Sequence, residues 1–237
     1  MAYGGLPLCA YALDEVNGTT AIDLMTRARG SSNNGTYGSG ASVANLLGPF
    51  RSGQRSVKFD NTNNGVVTIP AGVSLSTGSA ITIEFWNYVT ASELTGSHSS
   101  FTIGNAAGGT TTMCQSHAPL SSGNRTIFWD YGTNVAGRVS TSYASYLDKW
   151  THVALVSSGS GNTFKGIYLD GVLVNSAASS VGPTAAISGG YIGAWVVQSL
   201  RCANRMAGFR VYSYMLDANR IRYHALAERL GVMGMAA

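Results

Sequence analysis

Charge is what this chain has least of. Only 11% of its 237 residues are Asp, Glu, Lys or Arg, less than half of the roughly 25% found in an average soluble protein. Lysine is reduced to three positions, Lys58, Lys149 and Lys165. So little charge cannot keep a chain expanded, and the 45% of apolar residues suffices for a core, which excludes a disordered chain. A long coiled coil is excluded as well, because it needs Glu and Lys in quantity. Long apolar runs are also missing. No stretch of about 18 apolar residues occurs, so no membrane-spanning helix is expected. Cysteine is scarce, odd in number and widely spaced, at Cys9, Cys114 and Cys202. No disulfide framework follows from that, and reduced, partly buried thiols made in a reducing cytoplasm are expected. The first residues lack the basic segment and apolar run of a secretory signal.

The scarce charge is unevenly placed. Residues 1–200 hold nine basic and nine acidic residues, so the net charge of +4 arises wholly from residues 201–237. There Arg201, Arg205, Arg210, Arg220, Arg222 and Arg229 face only Asp217 and Glu228. Such an end can meet an acidic partner surface. Nucleic acid is not the expected partner, because its binders carry a denser basic stripe. The bland reading is a solvated helix face.

Gly, at 30 residues, Ser, Asn and Thr separate short β-branched and aromatic runs, the pattern of a β-sandwich or barrel. Strands are expected at Cys9–Asp14, Ser56–Asp60, Gly65–Ile69, Ala80–Thr90, Ser100–Gly104 and Arg125–Asp130, then at Lys149–Val156, Thr163–Leu169, Val172–Asn175, Gly190–Val196 and Met206–Tyr212. Ile81, Ile83 and Phe85 alternate with Thr82, Glu84 and Trp86, the period of half-buried antiparallel strands. Asp170-Gly171 between Ile167–Leu169 and Val172–Val174 predicts a two-residue hairpin with positive φ at both positions. One helix is expected, from an N-cap at Asp217 to about Leu230. Arg27–Leu47 and Asn105–Asn124 read as long loops. Nothing marks a second domain, and one sandwich over residues 1–237 is expected.

Five blocks in this order resemble the laminin-G-like, concanavalin-A-like jelly-roll family: Ala10–Glu15 with Gly18–Asp23 and Asn33–Thr36; Ser56–Asp60 with Val66–Pro70; Ile81–Trp86 and Trp150–Val156; Gly166–Val172; and Phe209–Tyr212 with Leu216 and the helix after it. The resemblance implies an all-β, two-sheet antiparallel jelly-roll sandwich with one C-terminal helix. It also implies three chemistries to check. Glycoside hydrolysis needs two carboxyl groups flanking the bond, yet Glu84 is alone in its strand, Asp14 and Glu15 are adjacent and Asp170 belongs to a turn. No enzyme is expected. The structural calcium of some family members would draw on Asp23, but Ala207 and Gly208 stand where the family carries acidic residues, so no cofactor is expected. Zinc would have to combine Cys114 and His117 with His98, short of the four ligands of a structural site.

Glycan binding needs exposed aromatics with polar neighbours. Trp129, Tyr131, Tyr143 and Tyr146 are the candidates, while Trp86, Trp150 and Trp195 lie in strand patterns and are expected in the core. Arg220, Arg222, Arg229, Met233 and Met235 are expected to form an interface. The fold normally works outside cells but no secretion signal is present, and proteins released by lysis need none. The expectation is therefore a non-enzymatic bacteriophage structural protein, a capsid decoration or tail or fibre component. It would stand on the virion surface as a homo-oligomer among other virion proteins. The alternative is a lectin or host-attachment adhesin recognising cell-surface polysaccharide.

Overall fold

The computed structural model describes residues 5–49, 55–61, 64–104, 114–160, 164–178, 182–195 and 200–230. Its strands form two eight-stranded antiparallel sheets. The first, sheet A, holds β1 (Cys9–Tyr11), β4 (Ala41–Leu47), β5 (Arg55–Phe59), β7 (Ile81–Tyr88), β12 (Thr151–Ser157), β13 (Lys165–Leu169), β14 (Val172–Ala177) and β16 (Arg205–Tyr212). Their order is β14-β13-β12-β7-β16-β5-β4, with β1 also paired to β16. Sheet B holds β2 (Thr20–Ala21), β3 (Gly35–Tyr37), β6 (Val67–Leu75), β8 (Phe101–Ile103), β9 (Cys114–His117), β10 (Thr126–Tyr131), β11 (Thr133–Ser142) and β15 (Ile187–Ile192). Its order is β11-β10-β9-β8-β15-β6-β3-β2.

The two sheets bury a shared apolar core. Ile81, Ile83 and Phe85 of β7 meet Phe101, Ile103 and Trp129 of sheet B there. Phe101 touches both Phe85, edge-on at 5.9 Å, and Phe209, at 5.5 Å. Aromatic pairs at such distances add about 0.5–1.5 kcal/mol beyond burial. The alternation read in Ile81–Trp86 thus sorts as expected: odd residues face inward, and Thr82, Glu84 and Trp86 face away from the core, toward α2 (Ala218–Arg229).

The predicted hairpin and helix are both present. Asp170 and Gly171 take φ of 50° and 79° between β13 and β14. Gly171 also lies against α2: a Cβ there would stand 2.9 Å from the Arg222 Cα. Asp217 caps α2, its Oδ1 accepting from the Arg220 N–H at 2.8 Å. Two expectations are corrected. The segment Arg27–Leu47 is not one loop, because it begins within a short helix, α1 (Thr26–Arg29), and then holds β3 and β4. The second long loop contains β9, where Cys114–His117 are all buried, and β11 went unread altogether. These strands are polar or small in sequence. Pairing with a hydrophobic neighbour, not their own pattern, makes them strands.

Candidate functional site

On the face of sheet B turned away from the core, the register aligns one residue from every strand; Arg138, Thr68, Thr36 and Thr20 are exposed, Tyr191 is half-buried, and Asp130, Gln115 and Thr102 are buried. The row runs Arg138, Asp130, Gln115, Thr102, Tyr191, Thr68, Thr36 and Thr20, each directly opposite the next. Every member is polar. Their neighbours along the strands, such as Phe101, Ile103, Trp129 and Tyr131, point into the core, which period-two alternation requires. Gly190 makes the centre of this row possible. A Cβ there would stand 2.0 Å from the Thr102 carbonyl oxygen, so any side chain would part β8 from β15.

One end of the row is organised by charge. Arg138 grips the buried Asp130 carboxylate with two parallel bonds of 2.8 Å, from Nε to Oδ1 and Nη2 to Oδ2. Its guanidinium also lies 4.4 Å over the Phe128 ring. The hydrogen bonds to Asp130 raise the Arg138 pKa. Gln115 donates to the same carboxylate at 3.0 Å, which leaves its own Oε1 buried and unpartnered. An unpaired buried amide oxygen costs about 1–3 kcal/mol until something donates to it. Next along, Thr102 donates to the Ala194 carbonyl at 3.3 Å, bringing the chain before Trp195 over the sheet. The Trp195 indole is half-buried, with Nε1 buried and unpartnered. His117 flanks the row and donates from Nδ1 to the His98 carbonyl at 2.6 Å. Burial lowers its pKa and keeps the ring neutral. The described face therefore carries hydroxyl, amide and aromatic groups and one self-cancelling ion pair.

The sequence-predicted glycan residues fall elsewhere. Trp129, Tyr131 and Tyr143 are wholly buried and are corrected to core residues. β10 runs through Tyr131, so Trp129 and Tyr131 alternate inward with Ile127, stacked on each other at 5.7 Å. Trp129 Nε1 donates to the Val156 carbonyl at 2.9 Å, and the Tyr143 hydroxyl accepts from Asn87 at 3.1 Å. Tyr146 is half-buried beside Tyr143, with the Lys149 amine 4.7 Å over its ring. Trp195, expected in the core, is the tryptophan beside the polar face. Trp86 is buried as expected, under α2, where its Nε1 donates to Glu228 at 2.7 Å.

The metal candidates do not assemble. Asp23 is buried, and its Oδ1 accepts from the N–H groups of Ala10, at 3.0 Å, and Met25, at 3.1 Å. That carboxylate pins β1 to the turn after β2. Its Oδ2 is buried without a partner, and no group of three or more His, Cys, Asp or Glu able to hold a metal occurs among the described residues. Cys114 faces the core while His117, three residues on, faces out. His98 instead lines a cavity of about 10 Å³ with Cys202 and Asn204, room for one water. All three cysteines are free and buried, and burial pushes the Cys202 thiol up to about 12.

Glu84 is not alone once the chain is folded. It lies beneath α2 with Arg210, His152, His224 and Glu228, all at most 2% exposed. His224 Nδ1 stands 2.8 Å from Glu84, Arg210 Nη1 2.5 Å from Glu228, and His152 Nε2 3.6 Å from Glu84. Burial alone would raise the Glu84 pKa. Arg210 and the histidines outweigh it and hold the carboxyl near 2. The pair Glu84 and Glu228 is sealed by helix and sheet and offers no cleft to a glycosidic bond. The expected arginine interface is partly consumed too. Arg229 pairs with Asp170 at 2.7 Å and Arg220, exposed like Arg222 on α2, donates from Nε to His224 at 2.9 Å. Met233 and Met235 lie outside the described residues.

Two sheets in this order, closed by a strand and a helix, are matched by a family model over residues 60–222, that of the concanavalin A-like lectin/glucanases superfamily. The chain belongs to that family. No curated protein matches the sequence. Among solved structures, the concanavalin A-like fold seen here is similar to the binding domain of botulinum neurotoxin serotype G, with 13% identity and a TM-score of 0.60. It is similar to the binding domain of Paraclostridial Mosquitocidal Protein 1, with 13% identity and a TM-score of 0.63. A third is the binding domain of botulinum neurotoxin DC in complex with rat synaptotagmin II, with 11% identity and a TM-score of 0.63. Each match covers 93% of this chain and 50–52% of the other. The chain thus spans about half of those domains, and at such identity the likeness is one of fold.

Proposed function

We propose that this protein is a non-catalytic binding module that attaches to a neutral cell-surface glycan through the outward face of sheet B. The observation that carries the reading is the uninterrupted polar row from Arg138 to Thr20, accessible at Arg138, Tyr191, Thr68, Thr36 and Thr20 and underlain by an unpartnered acceptor at Gln115 Oε1 and an unpartnered donor at Trp195 Nε1 that are both buried. Sugars offer hydroxyls that both donate and accept, and C–H faces that stack on rings such as Tyr191 and Trp195. A neutral ligand suits the face because Arg138 is already neutralised by Asp130 and His117 is uncharged. The similarity to domains named for binding supports attachment over catalysis, as does the sealing of Glu84 and Glu228. The setting we propose is host attachment from a virus particle, which the low charge and hydroxyl-rich composition suit.

The test is a titration of isotope-labelled protein with neutral oligosaccharides, followed by NMR. Saturable shifts at Gln115, Tyr191 and Trp195, lost in Gln115→Ala and Tyr191→Ala variants that keep their fold, are expected. Shifts confined to sulfated or sialylated sugars, or none on this face, would overturn the reading.

A further inference from the structure

The outward side of α2 has the build of a helix-docking seam. Nine large apolar residues are exposed among the described residues, and three of them, Tyr223, Leu226 and Leu230, lie on this helix or at its C-cap, each 47–59% exposed. With Asn219 they are spaced four, three and four residues apart, the a/d spacing with which one helix receives another. The opposite side, Ile221, His224, Ala225 and Glu228, is buried against sheet A, so the seam is surplus to the fold. Val172, 60% exposed at the tip of the β13–β14 hairpin, lies next to it, since Gly171 packs on Arg222. Contiguous exposed apolar surface of this kind marks an interaction site.

Charge selects the occupant. Arg222 and Arg229 flank the seam on one side and Arg220 on the other, while the helix's one acid, Glu228, is buried beneath it. A second copy of α2 laid on the first would set arginine against arginine, because flanking positions of two paired helices face each other. Like charges so placed disfavour association. A helix with acidic flanks meets Arg222 and Arg220 with an opposite charge, Arg229 being already paired with Asp170. We infer that α2 is the docking site for an amphipathic helix with an apolar a/d stripe and Glu or Asp flanks, supplied by a partner protein.

The probe is a synthetic three-heptad peptide with Leu at a and d and Glu at e and g, against a twin with Lys at e and g. Binding to the full chain is read by fluorescence anisotropy. The Glu peptide is expected to bind at least ten-fold more tightly than the Lys peptide and to weaken with salt. Leu226→Ser and Leu230→Ser together should abolish binding. Arg222→Glu combined with Arg220→Glu should turn the preference toward the Lys peptide, with unchanged circular dichroism. Equal binding of both peptides, no binding, or a preference that survives charge reversal would overturn the proposal. So would a concentration-dependent dimer that Leu226→Ser abolishes, which would assign the seam to a second copy.

Discussion

Arg210 is the residue on which the outer side of sheet A turns. It is 2% exposed between two carboxylates, Glu84 and Glu228, that are themselves fully buried. Removing one partner of a buried ion pair leaves an uncompensated charge, at a cost of about 3–5 kcal/mol. Arg210→Met is expected to lose that much in urea unfolding, whereas a neutral result would mean the carboxylates take up protons instead. The same cluster sets the acid response. Burial lowers the His152 pKa below its ordinary 6.5, against the pull of Glu84. Its contribution to stability is complete above that value and declines as pH falls below it. Glu84, held near 2 against an ordinary 4.5, adds a contribution that is lost as pH falls from about 4.5 toward 2. The melting temperature should therefore drop in both windows. Lys165 responds in the same direction in a higher pH window. It is buried over Trp129, and desolvation lowers it from 10.5 to about 8. The folded state disfavours its charged form, so its penalty is full below pH 8 and fades toward 10.5. Lys165→Met should raise the melting temperature at pH 7 and give a smaller gain at pH 10.

At the level of elements, α2 is an amphipathic helix read in an unusual way. Its buried side is polar in part, with His224 and Glu228, and its exposed side carries Tyr223, Leu226 and Leu230. The cap, the length and the end were legible in residues 217–230, because capping and helical spacing are local. Which side faces the sheet was not, since it depends on Glu84, Trp86 and Arg210 from strands far away in sequence. Asp217→Ala should cost about 1 kcal/mol, the ordinary worth of an N-cap, measured by thermal unfolding. It should also weaken any ligand of the α2 seam through fraying. β10 shows the converse. Ile127, Trp129 and Tyr131 alternate inward, a local signal available from the sequence. Reading the strand as ending at Asp130 put Tyr131 in a loop and Trp129 beside it, and so turned two core aromatics into candidate ligand contacts.

For the molecule as a whole, two opposite faces are put to different uses. Sheet B carries a polar row across eight strands on its outward side, exposed at Arg138 and from Thr68 to Thr20, while sheet A is covered by α2 and closed over its charges. Glycan attachment at the first and partner docking at the second would let one domain join a surface to an assembly. A calcium-dependent lectin would behave differently. Because Asp23 commits Oδ1 to Ala10 and Met25 and no cluster of further ligands gathers at its buried Oδ2 among the described residues, adding chelator is expected to leave the melting temperature and the mass by light scattering unchanged. A loss of several degrees on chelation would show a cation site that these residues do not form.

The sequence by itself determined the class and the elements: low charge, period-two runs, the Asp170-Gly171 hairpin and the capped helix all act over a few residues, where propensity and burial pattern agree. It also carried enough ordered blocks to reveal the family. Only the tertiary structure decided the site. Arg138, Asp130, Gln115, Thr102, Tyr191, Thr68, Thr36 and Thr20 come from all over the chain and form one row solely because of strand order and register. A shift of one residue in any strand would turn its member into the core.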